Sequence, residues 1–374
     1  MITRFYMPTK VMSGRDCIAA GAGIFKALGR KALIVTGAGS SKKNGSERDV
    51  KAALDSAGIS YLVYDRVRSN PTVSCAYEGA SVARENGVDF IVAIGGGSPM
   101  DAGKAIALLA AQDVGEEKLF SGAYESKALP VAVVPTTAGT GSDVTQYSVL
   151  VDERTRTKAS IASDILFPKV AFLDAKYMDQ LPAAITVNTA VDALSHAMEG
   201  MLSVKATHVS DALALESIRL IAGCVPELLK AVVSKSAAAI GPGTRERLLE
   251  ASFLAGIVIS HTGTTAVHAM GYPLTCLRDI DHGRANGLLM GEYLRLVGRE
   301  RPELTGRIFG AMGLSGTDEF KELLKRLLGE KEDITPEEIR NYSTMAIKAG
   351  NIANCVVKPK EEDLIEIYTV SFAK

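Results

Sequence analysis

The sequence predicts an α/β amino-terminal domain with a doubly wound, mostly parallel sheet, followed by an all-α carboxy-terminal domain. Three observations predict it. Apolar β-branched runs alternate with helical patterns through the first half. Those runs are continuously apolar rather than alternating, as in strands covered on both faces. After Phe172-Leu173-Asp174 strand runs give way to apolar residues at helical spacing, which sets a domain boundary near residue 180 and divides the chain into 1–180 and 181–374.

Composition narrows the functional classes. With 374 residues, 47% hydrophobic and 23% charged, the chain has enough apolar content for two cored domains and is neither disordered nor fibrous. A formal net charge of −1 and the lack of any basic block give no field to attract nucleic acid or an anionic membrane, so a small-molecule partner is expected. The amino terminus shows no basic start followed by a long apolar run, and no segment reaches the length of a membrane span, so a cytoplasmic protein is expected. The five cysteines are scattered without Cys-x-x-Cys spacing, which argues against a disulfide frame or a thiolate metal site.

In chain order, strands are expected at Ala32–Thr36, Tyr61–Tyr64, Phe90–Ile94 and Val131–Val134, with helices at Glu47–Ala57, Cys75–Asn86 and Ala102–Ala111. In such sheets ligands sit at the carboxyl ends of the strands, where three glycine-bearing turns fall. Gly37-Ala38-Gly39-Ser40-Ser41-Lys42 lacks the third glycine of the dinucleotide fingerprint and reads either as a plain βα turn or as an anion pocket of hydroxyls and lysines. Gly95-Gly96-Gly97-Ser98-Pro99-Met100-Asp101 runs from a strand into a helix. Ser98 is expected as N-cap, Pro99 as first helical residue and Asp101 as the acidic residue of the first turn, leaving a bare helix start suited to pyrophosphate. Between Thr136 and Thr145 four threonines and one serine crowd ten positions, enough hydroxyls to bind phosphate or ribose without side-chain charge. Asn70-Pro71-Thr72 is a further turn.

The second half is helical, with patterns at Ile218–Val233 and Arg245–Ser260 joined through 237–243. Its first helix carries Asp192, His196 and Glu199 at i, i+4 and i+7 among apolar neighbours, a polar stripe on an apolar helix. Read alone, the Asp–His pair is either an ordinary helical pair or half of a metal site. His268 and His282, each beside glycines, read alone as satisfied core or cap histidines. Taken with Asp192 and His196 they make one carboxylate and three imidazoles, a four-ligand N/O set suited to Fe(II) or Zn(II). Glu199 then fits better as a hydrogen-bond partner of a ligand than as a ligand. His208 is expected at the surface and His261 at a helix end.

In the order in which they occur, these motifs resemble the iron-containing (group III) alcohol dehydrogenase family over essentially the whole chain. The resemblance rests on 95–104, 136–145, Phe172-Leu173-Asp174 with Leu181-Pro182, Asp192-Ala193-Leu194-Ser195-His196-Ala197-Met198-Glu199, His268, and His282-Gly283-Arg284-Ala285-Asn286. It implies a dehydroquinate synthase-like architecture: a Rossmann-like nucleotide-binding domain over 1–180, a helical metal-binding and substrate domain over 181–374, and catalysis in the cleft between them. It implies metal ligation by Asp192, His196, His268 and His282. By position it implies cofactor contacts from Gly37, Asn70, Gly96, Gly97, Ser98, Asp101, Thr136, Thr137, Thr140, Thr145 and Lys158, the last reaching the nicotinamide ribose. It also suggests a homodimer formed through the strand around Phe5 to Met12.

Three departures from the family pattern carry chemical information. Gly37 stands where many NAD-using members have an Asp that would repel a 2′-phosphate. With Ser40, Ser41, Lys42 and Lys43 nearby, NADP(H) is expected to be preferred over NAD(H). Tyr272 replaces a histidine thought to assist proton transfer, either relaying a proton or walling the pocket, with the wall favoured. Asp143 replaces the usual Glu, a change expected to matter little. The expected activity is hydride transfer between a metal-bound alcohol and nicotinamide C4, run either as alcohol oxidation or as aldehyde or ketone reduction. A glycerol dehydrogenase or dehydroquinate synthase-like enzyme on the same fold is the alternative, and a non-catalytic nucleotide-binding protein the more distant one.

Overall fold

The computed structural model describes residues 4–155 and 157–372. They divide into two compact units, one spanning Tyr6–Leu181, the other running from Pro182 and including Phe5. The first unit contains, in order, β1 (Lys10–Ser13), α1 (Cys17–Ala20), α2 (Ala22–Phe25), β2 (Lys31–Thr36), α3 (Ser40–Asn44), α4 (Ser46–Ser56), β3 (Ser60–Tyr64), α5 (Val73–Glu85), β4 (Phe90–Gly95), α6 (Gly97–Ala111), β5 (Val131–Pro135), β6 (Tyr147–Asp152), β7 (Thr157–Ala162) and β8 (Val170–Leu173). Six strands form one all-parallel sheet in the order β1-β8-β5-β4-β2-β3, and β6 pairs antiparallel with β7.

The sheet is covered on both faces, which is why its central strands are apolar throughout. Every residue of β4 and β5 is buried. On one face Ala32, Ile34, Phe90, Val92 and Ile94 pack with Phe25 of α2 and Val50, Ala53 and Leu54 of α4. The alternate residue Ala93 faces α6 so closely that a Cβ added to Gly103 would stand 2.7 Å from the Ala93 Cβ. Three strands were not expected from sequence: β6 and β7 pair with each other in a separate antiparallel ladder, and β8 is only four residues long. β1, a four-residue, partly exposed edge strand, overlaps the strand around Phe5 to Met12 that the resemblance suggested.

The second unit is helical: α7 (Ala183–Met201), α8 (His208–Ser234), α9 (Pro242–Thr262), α10 (Ala266–Arg278), α11 (His282–Glu300), α12 (Pro302–Met312), α13 (Thr317–Leu328), α14 (Pro336–Ile347) and α15 (Glu361–Phe372). Helix α7 is its centre, packed against α8, α9 and α11, and every residue from Ala190 to Met201 is buried. Helix α11 approaches α7 backbone to backbone, since a Cβ on Gly283 would fall 1.9 Å from the Asn188 carbonyl oxygen. Glycine at 283 therefore allows the start of α11, which bears His282, to lie against the turn of α7 that bears Asp192. His208 is exposed at the start of α8, and His261 lies in the last turn of α9 with its ring stacked on Phe5, centroids 4.4 Å apart. Among the described residues no helix is long and apolar enough to cross a membrane.

Candidate metal centre and nucleotide loops

Helical spacing places Asp192 and His196 one turn apart on the same side of α7, and His268 enters from the first turn of α10. All three are buried, and one ligand atom from each lies within 4.8 Å of the other two. His268 Nε2 is 2.9 Å from His196 Nε2 and 3.7 Å from Asp192 Oδ1, and His196 Nε2 is 3.9 Å from Asp192 Oδ1. A point equidistant from those atoms lies about 2.1 Å from each, the length of a Zn–N or Zn–O bond. A carboxylate and two imidazoles converging at that spacing fit a divalent metal. His282, half-buried at the start of α11, lies beside this group rather than within it, its ring 5.1 Å from that of His268 and tilted by 72°.

The surrounding hydrogen bonds select which ring nitrogen faces the centre. Glu199, buried one turn beyond His196, takes the His268 Nδ1–H on Oε2. Its Oε1 accepts from Thr265 N at 2.8 Å, Thr265 Oγ1 at 2.7 Å and His268 N at 3.3 Å. With the proton fixed on Nδ1, the Nε2 lone pair of His268 is left for the centre. Burial pushes the Glu199 carboxyl upward, but the His268 imidazole and the hydrogen bonds from His268 and Thr265 outweigh it and hold its pKa below the ordinary value. His282 is oriented in the same way. Thr275 Oγ1 donates to the Gly271 carbonyl at 3.0 Å and so accepts from His282 Nδ1 at 3.3 Å, turning Nε2 inward. The Tyr272 ring stacks on His282 (centroids 5.7 Å, 13°) and meets His268 edge-on at 6.3 Å, forming one side of this histidine cluster.

In the α/β unit the structure brings most of the nucleotide candidates to the carboxyl ends of β4 and β5. A Cβ on Gly96 would lie 3.1 Å from Thr137 Oγ1, and one on Gly97 would lie 2.8 Å from Thr140 Cγ2, so the hydroxyl loop is folded onto the start of α6. Asn70, in a left-handed conformation with φ 55°, donates its backbone N–H to Ser98 Oγ at 3.2 Å. Thr136 is buried, with its N–H on the Gly95 carbonyl at 2.9 Å. Lys158, on β7, is near enough to Asp101 to act on its carboxyl electrostatically.

Three expectations are corrected here. Pro99 is not the first residue of α6 but follows Gly97 and Ser98 in it. Ser98 is not the N-cap of α6. Gly96 takes that place in an extended conformation, with no side-chain cap, and the Ser98 hydroxyl turns to Asn70. Asp101 does not serve the helix start either, because its carboxylate accepts from Ser142 Oγ at 2.6 Å and from Val149 N at 3.2 Å. Around the Gly37 turn, Ser40 and Lys43 are exposed, whereas Ser41 is buried between Thr36 and Glu47 and Lys42 pairs with Asp65 at 2.7 Å. Sequence reasoning assigned nothing to Lys104, which is fully buried. Its ammonium donates to Ser142 Oγ and the Thr145 carbonyl at 2.9 Å, to the Tyr147 carbonyl at 2.8 Å, and weakly to Thr145 Oγ1 at 3.3 Å. Burial lowers its pKa to about 8. It ties the hydroxyl loop to α6, a role no helical periodicity would disclose.

A parallel α/β unit with glycine and hydroxyl loops at its strand ends, joined in one chain to a helical unit that gathers a carboxylate and imidazoles, has the make-up of a two-domain, metal-dependent oxidoreductase. Comparison with known proteins makes this specific. Residues 8–175 match the family model described as iron-containing alcohol dehydrogenase, and residues 186–372 match that of the Fe-containing alcohol dehydrogenase family, C-terminal. Lactaldehyde reductase of Escherichia coli (strain K12) is 32% identical over 356 residues, covering 94% of this chain and 86% of that protein. The 1,3-propanediol dehydrogenase of Citrobacter freundii is 33% identical over 365 residues, 92% of each. An iron-containing alcohol dehydrogenase from Thermotoga maritima superposes with a TM-score of 0.91 at 38% identity, covering 100% of both chains. Sulfoacetaldehyde reductase from Bifidobacterium kashiwanohense, in complex with NAD+, superposes at 0.87 with 28% identity, again over 100% of both. The chain belongs to the iron-containing alcohol dehydrogenase family. It is an oxidoreductase of the alcohol dehydrogenase and aldehyde reductase kind.

Proposed function

We propose that this protein interconverts a small alcohol with its aldehyde or ketone using NADP(H) in preference to NAD(H), with Fe(II), or alternatively Zn(II), held by Asp192, His196, His268 and His282. The observation that carries the reading is the buried convergence of Asp192 Oδ1, His196 Nε2 and His268 Nε2 within one bonding radius. When bound, the ion supplies Lewis-acid polarisation of an alcohol or carbonyl oxygen and the nicotinamide gives or takes the hydride.

The chain's own residues supply placement. Asp192 contributes the negative charge and the imidazoles contribute neutral donors, the tautomer of His268 being fixed by Glu199 and that of His282 by Thr275. Tyr272 walls the histidine cluster with its ring. The start of α6, bare of side chains at Gly96 and Gly97 and carrying Ser98, suits pyrophosphate, and Thr136, Thr137, Thr140, Thr145, Asn70, Asp101 and Lys158 complete the nucleotide-binding set. Preference for NADP(H) rests on Gly37, which offers no carboxylate to a 2′-phosphate, and on the exposed Ser40 and Lys43 beside it. We further propose a homodimer in the cytoplasm, supported by β1 as an open sheet edge and by the exposed aromatic rings of Phe5 and Tyr6.

Metal analysis of anaerobically purified protein, with turnover measured on a panel of short diols and hydroxyaldehydes using both cofactors, tests the reading. His268→Ala is expected to lose bound metal and activity together. A variant that keeps both would overturn the ligand assignment, and a tenfold higher kcat/KM with NAD(H) would overturn the cofactor preference.

A further inference from the structure

Asn286 is fully buried on α11, one turn after His282, and its side-chain amide nitrogen lies among the candidate ligand atoms. Nδ2 is 3.0 Å from Asp192 Oδ1, 3.2 Å from His268 Nε2 and 3.4 Å from His282 Nε2. The two imidazole nitrogens are those that Glu199 and Thr275 leave with lone pairs. A carboxylate oxygen and two unprotonated imidazole nitrogens can only accept, so the group facing them must be the NH2 and not the amide oxygen. The opposite end of the amide shows what this orientation costs. Asn286 Oδ1 is buried with no hydrogen-bond partner among the described residues. Space for it exists only because position 271 is glycine, where a Cβ would come within 2.1 Å of that oxygen. An amide that leaves its oxygen unpaired to aim its nitrogen at three acceptors is organised by those acceptors.

We propose that Asn286 is a positioning residue that organises the metal-free centre, its amide N–H groups bridging Asp192, His268 and His282 so that their lone pairs stay convergent until a metal replaces the bridge. Two hydrogens serve three acceptors, so the contacts weaken from Asp192 to His268 to His282. On loading, the contacts to the imidazoles are given up while the N–H bond to Asp192 can persist, holding the carboxylate in its ligating orientation. His282, outside the convergent three, meets the group through this amide and through its ring contact with His268.

The inference rests on the metal-site reading above, and one experiment separates the two. Wild-type protein, Asn286→Ala and Asn286→Leu are stripped of metal, checked for folding by far-ultraviolet circular dichroism, and titrated with Co(II) against a competing chelator while the cobalt d–d spectrum is recorded. Failure of the wild type to take up Co(II) would sink the metal site itself. If the wild type binds, both variants should bind about ten- to a hundredfold more weakly and reach the wild-type spectrum at saturation, the ligands being intact but unorganised. Asn286→Leu preserves most of the volume without a donor, so affinity within threefold of wild type in that variant would reduce Asn286 to packing and overturn the proposal. A saturated spectrum that differs from wild type would overturn it in the other direction, by making Asn286 itself a ligand.

Discussion

Replacing Glu199 by Gln tests how the centre is built, because it changes one atom's hydrogen-bonding sense without changing volume. Glu199 Oε1 accepts from Thr265 N, Thr265 Oγ1 and His268 N, and Gln can keep those bonds with its own oxygen. Its NH2 then falls where Oε2 now accepts from His268 Nδ1. Two donors would face each other in a buried site, so the imidazole should move its hydrogen to Nε2 and accept at Nδ1 instead. In the metal-free protein the relocated Nε2–H loses the Asn286 amide as a donor but can turn to His196 Nε2, 2.9 Å away, so the melting temperature should change little. Metal binding must then force the hydrogen back to Nδ1, opposite an amide N–H that has lost its acceptor, at about 2–3 kcal/mol. At 1.4 kcal/mol per tenfold, Glu199→Gln is expected to weaken Zn(II) or Co(II) binding by about 30- to 150-fold. Chelator competition measures the affinity. Circular dichroism melting of the stripped protein measures the fold, a suitable probe for a chain with no tryptophan (Trp 0). Glu199→Ala, which leaves the Thr265 and His268 donors unpaired in both states, should instead lower the melting temperature of the stripped protein. Affinity within threefold of wild type in Glu199→Gln, or a stripped protein as destabilised as Glu199→Ala, would refute the tautomer argument.

Three further outcomes are expected. Gly37→Asp should reduce kcat/KM for NADP(H) at least tenfold and raise it for NAD(H); a Cβ there meets the Val67 carbonyl oxygen at 3.2 Å, so a modest loss of melting temperature should accompany it. Tyr272→Phe keeps the ring that stacks on His282 and should hold kcat within about threefold with an unshifted pH profile, whereas Tyr272→Ala removes the ring and should lower kcat/KM about tenfold or more. If Tyr272→Phe alone abolishes turnover, the phenol is a proton relay. Asp143 is buried and pushed from 3.8 to about 6, chiefly by burial and against the pull of Lys104; its Oδ2 has no hydrogen-bond partner among the described residues. A pKa raised on folding favours the folded state fully below pH 3.8 and loses that benefit as pH rises to about 6, above which the charged carboxylate is a buried liability. Asp143→Asn should therefore be more stable than wild type at pH 7.5 by about 1–3 kcal/mol, with the difference vanishing near pH 4 in circular dichroism melts.

What the sequence disclosed follows the range of the interaction concerned. The α/β alternation, the parallel sheet and the helical second half are legible because periods of 2 and 3.6 and continuous apolar runs are local signals. The Asp192–His196 pairing on one side of α7 is local too. His268 and His282 are not tied to it by spacing, and only the joint donor chemistry, strengthened by the family resemblance, connected them. Ser98 shows the opposite failure: a good capping residue in a good position lost the cap to Gly96, because the cap is decided by backbone dihedrals and by where Asn70 needs an acceptor. Lys104 and Asn286 lie within the motif stretches, and nothing in their spacing gives either a task, for the same physical reason. A lysine on a helix ordinarily reads as a solvated charge, and its burial here depends on acceptors 38 to 43 residues away in the chain.

The two units use buried polar groups in different ways. In the α/β unit Lys104 and Asp101 are saturated with partners: Ser142 serves both, Lys104 adds Thr145 and Tyr147, and Asp101 adds Val149. Such a network has little reason to reorganise and serves to hold a loop rigid. Around Asp192, His196, His268 and His282 the pattern reverses. Nδ1 of His268 is held by Glu199 and Nδ1 of His282 faces Thr275, while Nε2 of each and Asp192 Oδ1 lie around one amide whose oxygen has no hydrogen-bond partner among the described residues, and His268 Nε2 also faces His196 Nε2. Several acceptors converging on too few hydrogens is an unfavourable arrangement for a buried core, and a cation at that point relieves it. The convergence of Asp192 Oδ1, His196 Nε2 and His268 Nε2 is what supports the proposal that this cluster takes a metal rather than only joining the helices that carry it.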